Sequence, residues 1–137
     1  MMSIRKSPIM KKSLEELVFT LIADNYYITK GIIEEDSKLL ETGIEKVFVD
    51  LVAISGKINL IHNDIDLRIC NAYKETSEEA YLFWNKKLSL ICENFVNRHY
   101  ESVITDINES LKNLRSLAEI YNIDFEKIIK YGKCNEK

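Results

Sequence analysis

The chain contains a single proline, Pro8, and only four glycines, Gly31, Gly43, Gly56 and Gly132. So few turn-forming residues argue against a fold of many short strands and for long helices joined by short turns. Cysteine is scarce as well: Cys70, Cys92 and Cys134 are an odd number with no close spacing. That leaves no CxxC redox or zinc motif and points to a reducing compartment. Cys70 and Cys92 fall within apolar runs and read as small core side chains. No run of about 18 apolar residues occurs, so no membrane span is expected. The basic start is followed by Leu14 to Ile22, which Glu15 and Glu16 interrupt. No signal peptide is read there, and a cytoplasmic protein is expected. Histidine is limited to His62 and His99, too few and too far apart for a His-based zinc site.

What is present is the composition of an ordinary globular domain. Hydrophobic residues make up 46% and charged residues 30% of 137, which rules against disorder and fits one domain. Nineteen basic against 22 acidic residues give a net charge of −3, which disfavours nonspecific binding to nucleic acid. The one basic cluster, Arg5, Lys6, Lys11 and Lys12, falls in residues 1–12, read as a flexible lead. Residues 13–137 are read as a single helical domain.

Apolar spacing predicts an all-α bundle of about five helices plus a short C-terminal one. The first starts with the capping box Ser13-Leu14-Glu15-Glu16 and runs to about Lys30, with Gly31 as a left-handed C-cap. A second, from Ser37 to Ser55, carries Leu40, Ile44, Val47, Phe48, Leu51 and Val52 and ends at Gly56, with a break at Gly43 as an alternative. A third covers Lys57 to Lys74. Thr76-Ser77-Glu78-Glu79 caps a fourth, whose stripe is Trp84, Leu88, Ile91 and Phe95. The fifth shows Ile104, Ile107, Leu111, Leu114, Ala118 and Tyr121. Asn97 to Tyr100 is the expected turn between them, with one helix of about 45 residues as the alternative. A sixth follows Asp124 and stops at Gly132.

Chemistry has to come from carboxylates, because no phosphate loop, nucleophile elbow or Cys/His pair is present. Glu41/Glu45, Glu75/Glu79 and Asp106/Glu109 all share a helix face. The last pair has a context the others lack. Asp106-Ile-Asn-Glu109 is followed by Leu117-Ala118, by Asn122-Ile123-Asp124 fifteen residues after Glu109, and by Lys133-Cys134-Asn135. Projected at about 100° per residue, Asp106 and Glu109 lie off the Ile104–Leu111–Ala118 stripe, where solvated residues stand.

Residues 88–137 resemble the C-terminal half of the all-α nucleoside triphosphate pyrophosphohydrolases, the MazG-type and dimeric dUTPase superfamily. That family carries EExxE on one helix and ExxD on a second, then Gly-Ile-Asp about fifteen residues on and an Asn near a basic residue. Here DxxE replaces ExxD, and Glu93-Asn94-Phe95-Val96-Asn97 reads ENxxN in place of the first motif. The eight residues between Asn97 and Asp106 are fewer than the family usually has.

The resemblance implies that Glu93, Asp106 and Glu109 hold Mg²⁺, which neutralises a triphosphate and orients water. Asn97 would be a neutral ligand or a hydrogen bond to water, and Lys133 and Asn135 would touch phosphate oxygens. It implies nucleotide as ligand, a homo-oligomer, and either a magnesium-dependent enzyme or a degenerate nucleotide-binding relative. The alternative reading is a noncatalytic helical bundle that regulates or inhibits a protein partner. For that reading Tyr81, Phe83 and Trp84 are a candidate docking face, ordinary core being the competing assignment.

Overall fold

Two capping boxes start helices where the sequence places them. The Ser13 hydroxyl accepts from the Glu16 amide at 3.1 Å while the Glu16 carboxylate accepts from the Ser13 amide at 2.7 Å. Thr76 and Glu79 repeat the arrangement, both bonds at 3.1 Å. Each box satisfies two amides that the first turn leaves without helical partners. The computed structural model describes residues 12–61, 71–72 and 76–136, with residues 61 and 131–136 described by their backbone. Within them run α1 (Leu14–Ile33), α2 (Ser37–Ile61), α3 (Ser77–Val96), α4 (Tyr100–Ile120) and α5 (Phe125–Glu136), and no strand. The protein is all-α.

Glycine does not end these helices. α1, α3 and α4 each close on a left-handed residue that is not glycine: Glu35 at φ 52°, Arg98 at φ 61° and Asn122 at φ 59°. The bonding is the same in all three. Asp36 donates to the Gly31 carbonyl and Glu35 to that of Ile32; His99 donates to Asn94 and Arg98 to Phe95; Ile123 donates to Ala118 and Asn122 to Glu119. This is the Schellman pattern, in which two backbone bonds wrap the last carbonyls of the helix. The turn at residues 97–99 therefore separates α3 from α4, and the single-helix alternative fails. Asp36 at once restarts the chain, its side chain accepting from the Leu39 amide at 3.1 Å.

Expectations about Gly31, Gly56 and Gly132 as helix ends are corrected, and the alternative break at Gly43 does not occur. Gly31 lies inside α1, and neither Gly43 nor Gly56 breaks α2. Backbone α5 likewise passes through Gly132. Of the expected third helix, residues 57–61 instead continue α2, 71–72 are not helical, and 62–70 and 73–74 lie outside the described residues, as do 1–11 and Glu75; His62 and Cys70 fall in the first of these stretches. Gly31 and Gly43 serve packing instead. A methyl group at Gly31 would sit 2.7 Å from the Leu40 nitrogen, and one at Gly43 would sit 2.7 Å from the Ile28 nitrogen. With Lys46 lying over the Tyr27 ring, these contacts set α1 and α2 antiparallel, backbone against backbone.

The helices gather into two compact units. One comprises the described residues of Met1–Lys57 and Glu126–Lys137, the other those of Ile58–Phe125. In the first, α1 buries Leu17, Leu21 and Ile28. α2 buries Leu40, Ile44, Val47, Phe48 and then every residue from Asp50 to Ser55. In the second, α3 and α4 pack together along Ala80, Trp84, Leu88 and Ile91 on one side and Ile104, Ile107, Leu111 and Leu114 on the other. Both stripes follow the predicted spacing, except that Phe95 and Tyr121 at their ends are only half-buried. Trp84 is fully buried, so the core assignment holds for it, while Tyr81 and Phe83 are half-buried. Among the described residues no helix is long and apolar enough to cross a membrane.

Two substitutions test this account of glycine. Glu35→Gly relieves a left-handed side chain and is expected to stabilise the protein by about 1 kcal/mol in urea unfolding. Gly43→Ala places a methyl against the α1 backbone and is expected to destabilise it by about 1–3 kcal/mol.

Candidate functional site

The carboxylates singled out by sequence lie on the face of α4 turned toward α3. Asp106 is buried, 7% exposed, which corrects the expectation that it is solvated. Its Oδ2 accepts from the Asn94 side-chain amide at 2.9 Å and its Oδ1 from Lys87 Nζ at 3.4 Å. Lys87 also pairs directly with Glu109. One ammonium thus lies between the two acids. The Lys87 side chain is 12% exposed, so burial lowers its pKa; the hydrogen bond and charge of Glu109, followed by those of Asp106, outweigh that and hold it above the ordinary lysine value.

Glu93 is exposed on α3, and Asn97 is the exposed C-cap of that helix. The amide that reaches Asp106 belongs to Asn94 instead. Among the described residues no three or more His, Cys, Asp or Glu side chains form a group able to hold a metal ion. Glu93, Asp106 and Glu109 therefore do not make the three-ligand set that the resemblance implies. Lys133 and Asn135 fall on α5, with side chains outside the described residues. Beside Asp106 an open groove of about 410 Å³ is lined by Leu90, Asn94, Glu101, Ser102, Thr105 and Asp106. Its acidic anchor is already neutralised by Lys87 and hydrogen-bonded by Asn94.

A second pair of acids was not singled out by sequence. Asp24 on α1 is half-buried, and Asp50 on α2 is 1% exposed. The antiparallel register that sets Gly31 at Leu40 and Ile28 at Gly43 brings these two side chains together one and two turns further along. Asp50 is pushed up to about 9, first by burial and then by the hydrogen bond and charge of Asp24; Lys12 and Lys46 pull it down by less. Asp50 Oδ2 is buried without a hydrogen-bond partner among the described residues. Lys12 is held nearby through a 3.1 Å bond to the Thr20 hydroxyl. Among the described residues no ion pair holds an ammonium between these two acids as Lys87 is held between Asp106 and Glu109. A carboxyl buried beside a second one, as Asp50 is beside Asp24, keeps a proton, and a cation is what would replace it.

The sequence does contain a trace of this pair. Asp50 interrupts the apolar run from Val47 to Ile54 and is the only charge within it. An acid inside such a run is either paired or protonated, and here both apply. Asp24 gives no comparable signal, because its partner is fixed only by the register of two helices.

No protein-family model matches the chain, and no curated protein and no solved structure matches it.

The pair makes stability depend on pH. Folded Asp50 keeps a proton that the unfolded chain gives up above 3.8, so folding stability falls as pH rises from about 4 to about 9. The slope from one such proton is at most about 1.4 kcal/mol per pH unit. Asp50→Asn keeps the neutral shape and is expected to flatten this slope, read as urea midpoints at pH 5 and pH 8. An equally steep decline in the variant would assign the pH dependence to other groups.

Proposed function

We propose that the chain is a magnesium-dependent nucleotide-binding protein of the nucleoside triphosphate pyrophosphohydrolase type, with its cation held at Asp24 and Asp50. The nucleotide class rests on the resemblance of residues 88–137 alone; what supports a cation at Asp24 and Asp50 is the buried Oδ2 of Asp50, without a hydrogen-bond partner among the described residues, beside a second carboxyl. Two acids suffice for this ion, since Mg²⁺ is commonly held by one or two carboxylates with substrate phosphates completing its shell. When bound, Mg²⁺ supplies the positive charge that neutralises a triphosphate and orients attacking water.

The chain's own residues divide the remaining work. Asp50 gives up its proton as the cation is taken up, so affinity rises with pH below about 9. Asp24, less buried, supplies the second carboxylate and the side nearer solvent. Lys12 and Lys46 already act on Asp50 through their charge and offer point charges to phosphate oxygens. Asp106 and Glu109, bridged by Lys87, act in this reading as internal ties between α3 and α4.

The second reading, a noncatalytic helical protein that regulates another protein, draws support from apolar side chains exposed on α1. One experiment separates the two. Pyrophosphate release from a panel of nucleoside triphosphates, with Mg²⁺ present, is compared for the parent, Asp50→Asn and Asp106→Asn. The parent is expected to gain a few degrees of melting temperature from Mg²⁺ with nucleotide. Asp50→Asn should lose both release and shift, and Asp106→Asn should keep them. A shift without release identifies a binding relative. Silence in both readouts for the parent rejects the nucleotide reading.

A further inference from the structure

The antiparallel seam of α1 and α2 carries more than its acid pair. Along one side it shows three successive rungs. Lys12 Nζ donates to the Thr20 hydroxyl at 3.1 Å, one turn before Asp24. Asp24 and Asp50 form the next rung. Lys46, one turn before Asp50 on the opposed helix, lies 5.5 Å from the centre of the Tyr27 ring, which is one turn after Asp24. The order along the seam is therefore cation, acid pair, cation. From Thr20 to Tyr27 the helix rises by about 10 Å, which sets the spacing of the outer rungs.

Among the described residues neither lysine stands in an ion pair. Lys12 holds a neutral hydroxyl and Lys46 an aromatic face, and both act on Asp50 through their charge. Two lysines balance two carboxylates. A divalent cation seated at the buried Oδ2 of Asp50 adds two positive charges beyond that balance. Three centres of positive charge then lie in a row. The rings at one end of the row are already engaged: Tyr27 by Lys46 and by the edge of Tyr26, and Tyr26 by Lys30. What the seam recognises is charge rather than a base.

The geometry points to a linear chain of three phosphoryl groups as the ligand of this seam, with its middle phosphate on the cation at Asp24 and Asp50 and its ends on Lys12 and Lys46. This inference rests on the magnesium site proposed above. It narrows the ligand class from nucleotides to the phosphate chain itself, whether inorganic or nucleoside-linked. A single phosphate on the cation cannot reach both lysines, and so forgoes charge-assisted bonds that the longer chain makes.

Isothermal titration calorimetry of the full chain, with Mg²⁺ in excess, compares inorganic tripolyphosphate, ATP, CTP and orthophosphate. Tripolyphosphate and both nucleotides are expected to bind about equally, and orthophosphate at least about tenfold more weakly. Lys12→Met and Lys46→Met keep the apolar stems and should each weaken the three longer ligands about tenfold. The rise in melting temperature that Mg²⁺ alone produces should persist in both variants. Failure of tripolyphosphate to bind while that rise is present overturns the inference and leaves the cation site standing. So does binding to which both lysine variants are indifferent. Absence of the rise in the parent overturns the cation site and the inference together.

Discussion

Gly31 and Gly43 bring the backbones of α1 and α2 closer than any side chain would allow, and that contact fixes which residues face each other. Leu40 packs on Gly31 and Ile28 on Gly43, and the same register then carries Asp24 to Asp50. Neither acid has a reason on its own account to stand where it does. Asp50 is enclosed because α2 is apolar on every side from Leu51 to Ile54, and Asp24 meets it because the helices cannot slide without losing the glycine contacts. The proposed chemistry therefore depends on a packing device two turns away from it.

The two acidic clusters are resolved in opposite ways. At Asp106 and Glu109 the chain supplies its own cation, Lys87, and a neutral donor, Asn94, so the acids are compensated within the fold. A lysine so held is a structural tie, and its worth lies mainly in avoiding an unpaired buried carboxylate. At Asp24 and Asp50 compensation is left incomplete: the nearby lysines lower the pKa of Asp50 less than burial and its neighbour raise it. An uncompensated acid costs stability at neutral pH. Sites that bind charge are commonly built at such a cost.

Much of the fold was legible because helix starts and apolar stripes are local. Ser13, Thr76 and the stripes of α3 and α4 depend only on residues within a few turns. Helix ends were less legible, since the expected signal was glycine and the chain uses Glu35, Arg98 and Asn122 in its place. Glycine was read as punctuation when its work at Gly31 and Gly43 is between helices, which single-helix periodicity cannot register. Asp106 and Glu109 were found as a pair, but their counter-ion comes from α3, nineteen residues before Asp106, and no spacing rule names it. Asp50 was visible as the one charge in an apolar run. Asp24 was not, because only the register of α1 on α2 selects it.

The central claim is that Asp50 is a protonated acid awaiting a cation. The direct measurement is an NMR titration of the Asp50 side-chain carboxyl carbon with and without Mg²⁺. The account predicts a midpoint near 9 in the absence of the ion and a midpoint lowered by more than a unit in its presence. A midpoint near the ordinary 3.8, or one that Mg²⁺ leaves in place, would contradict it.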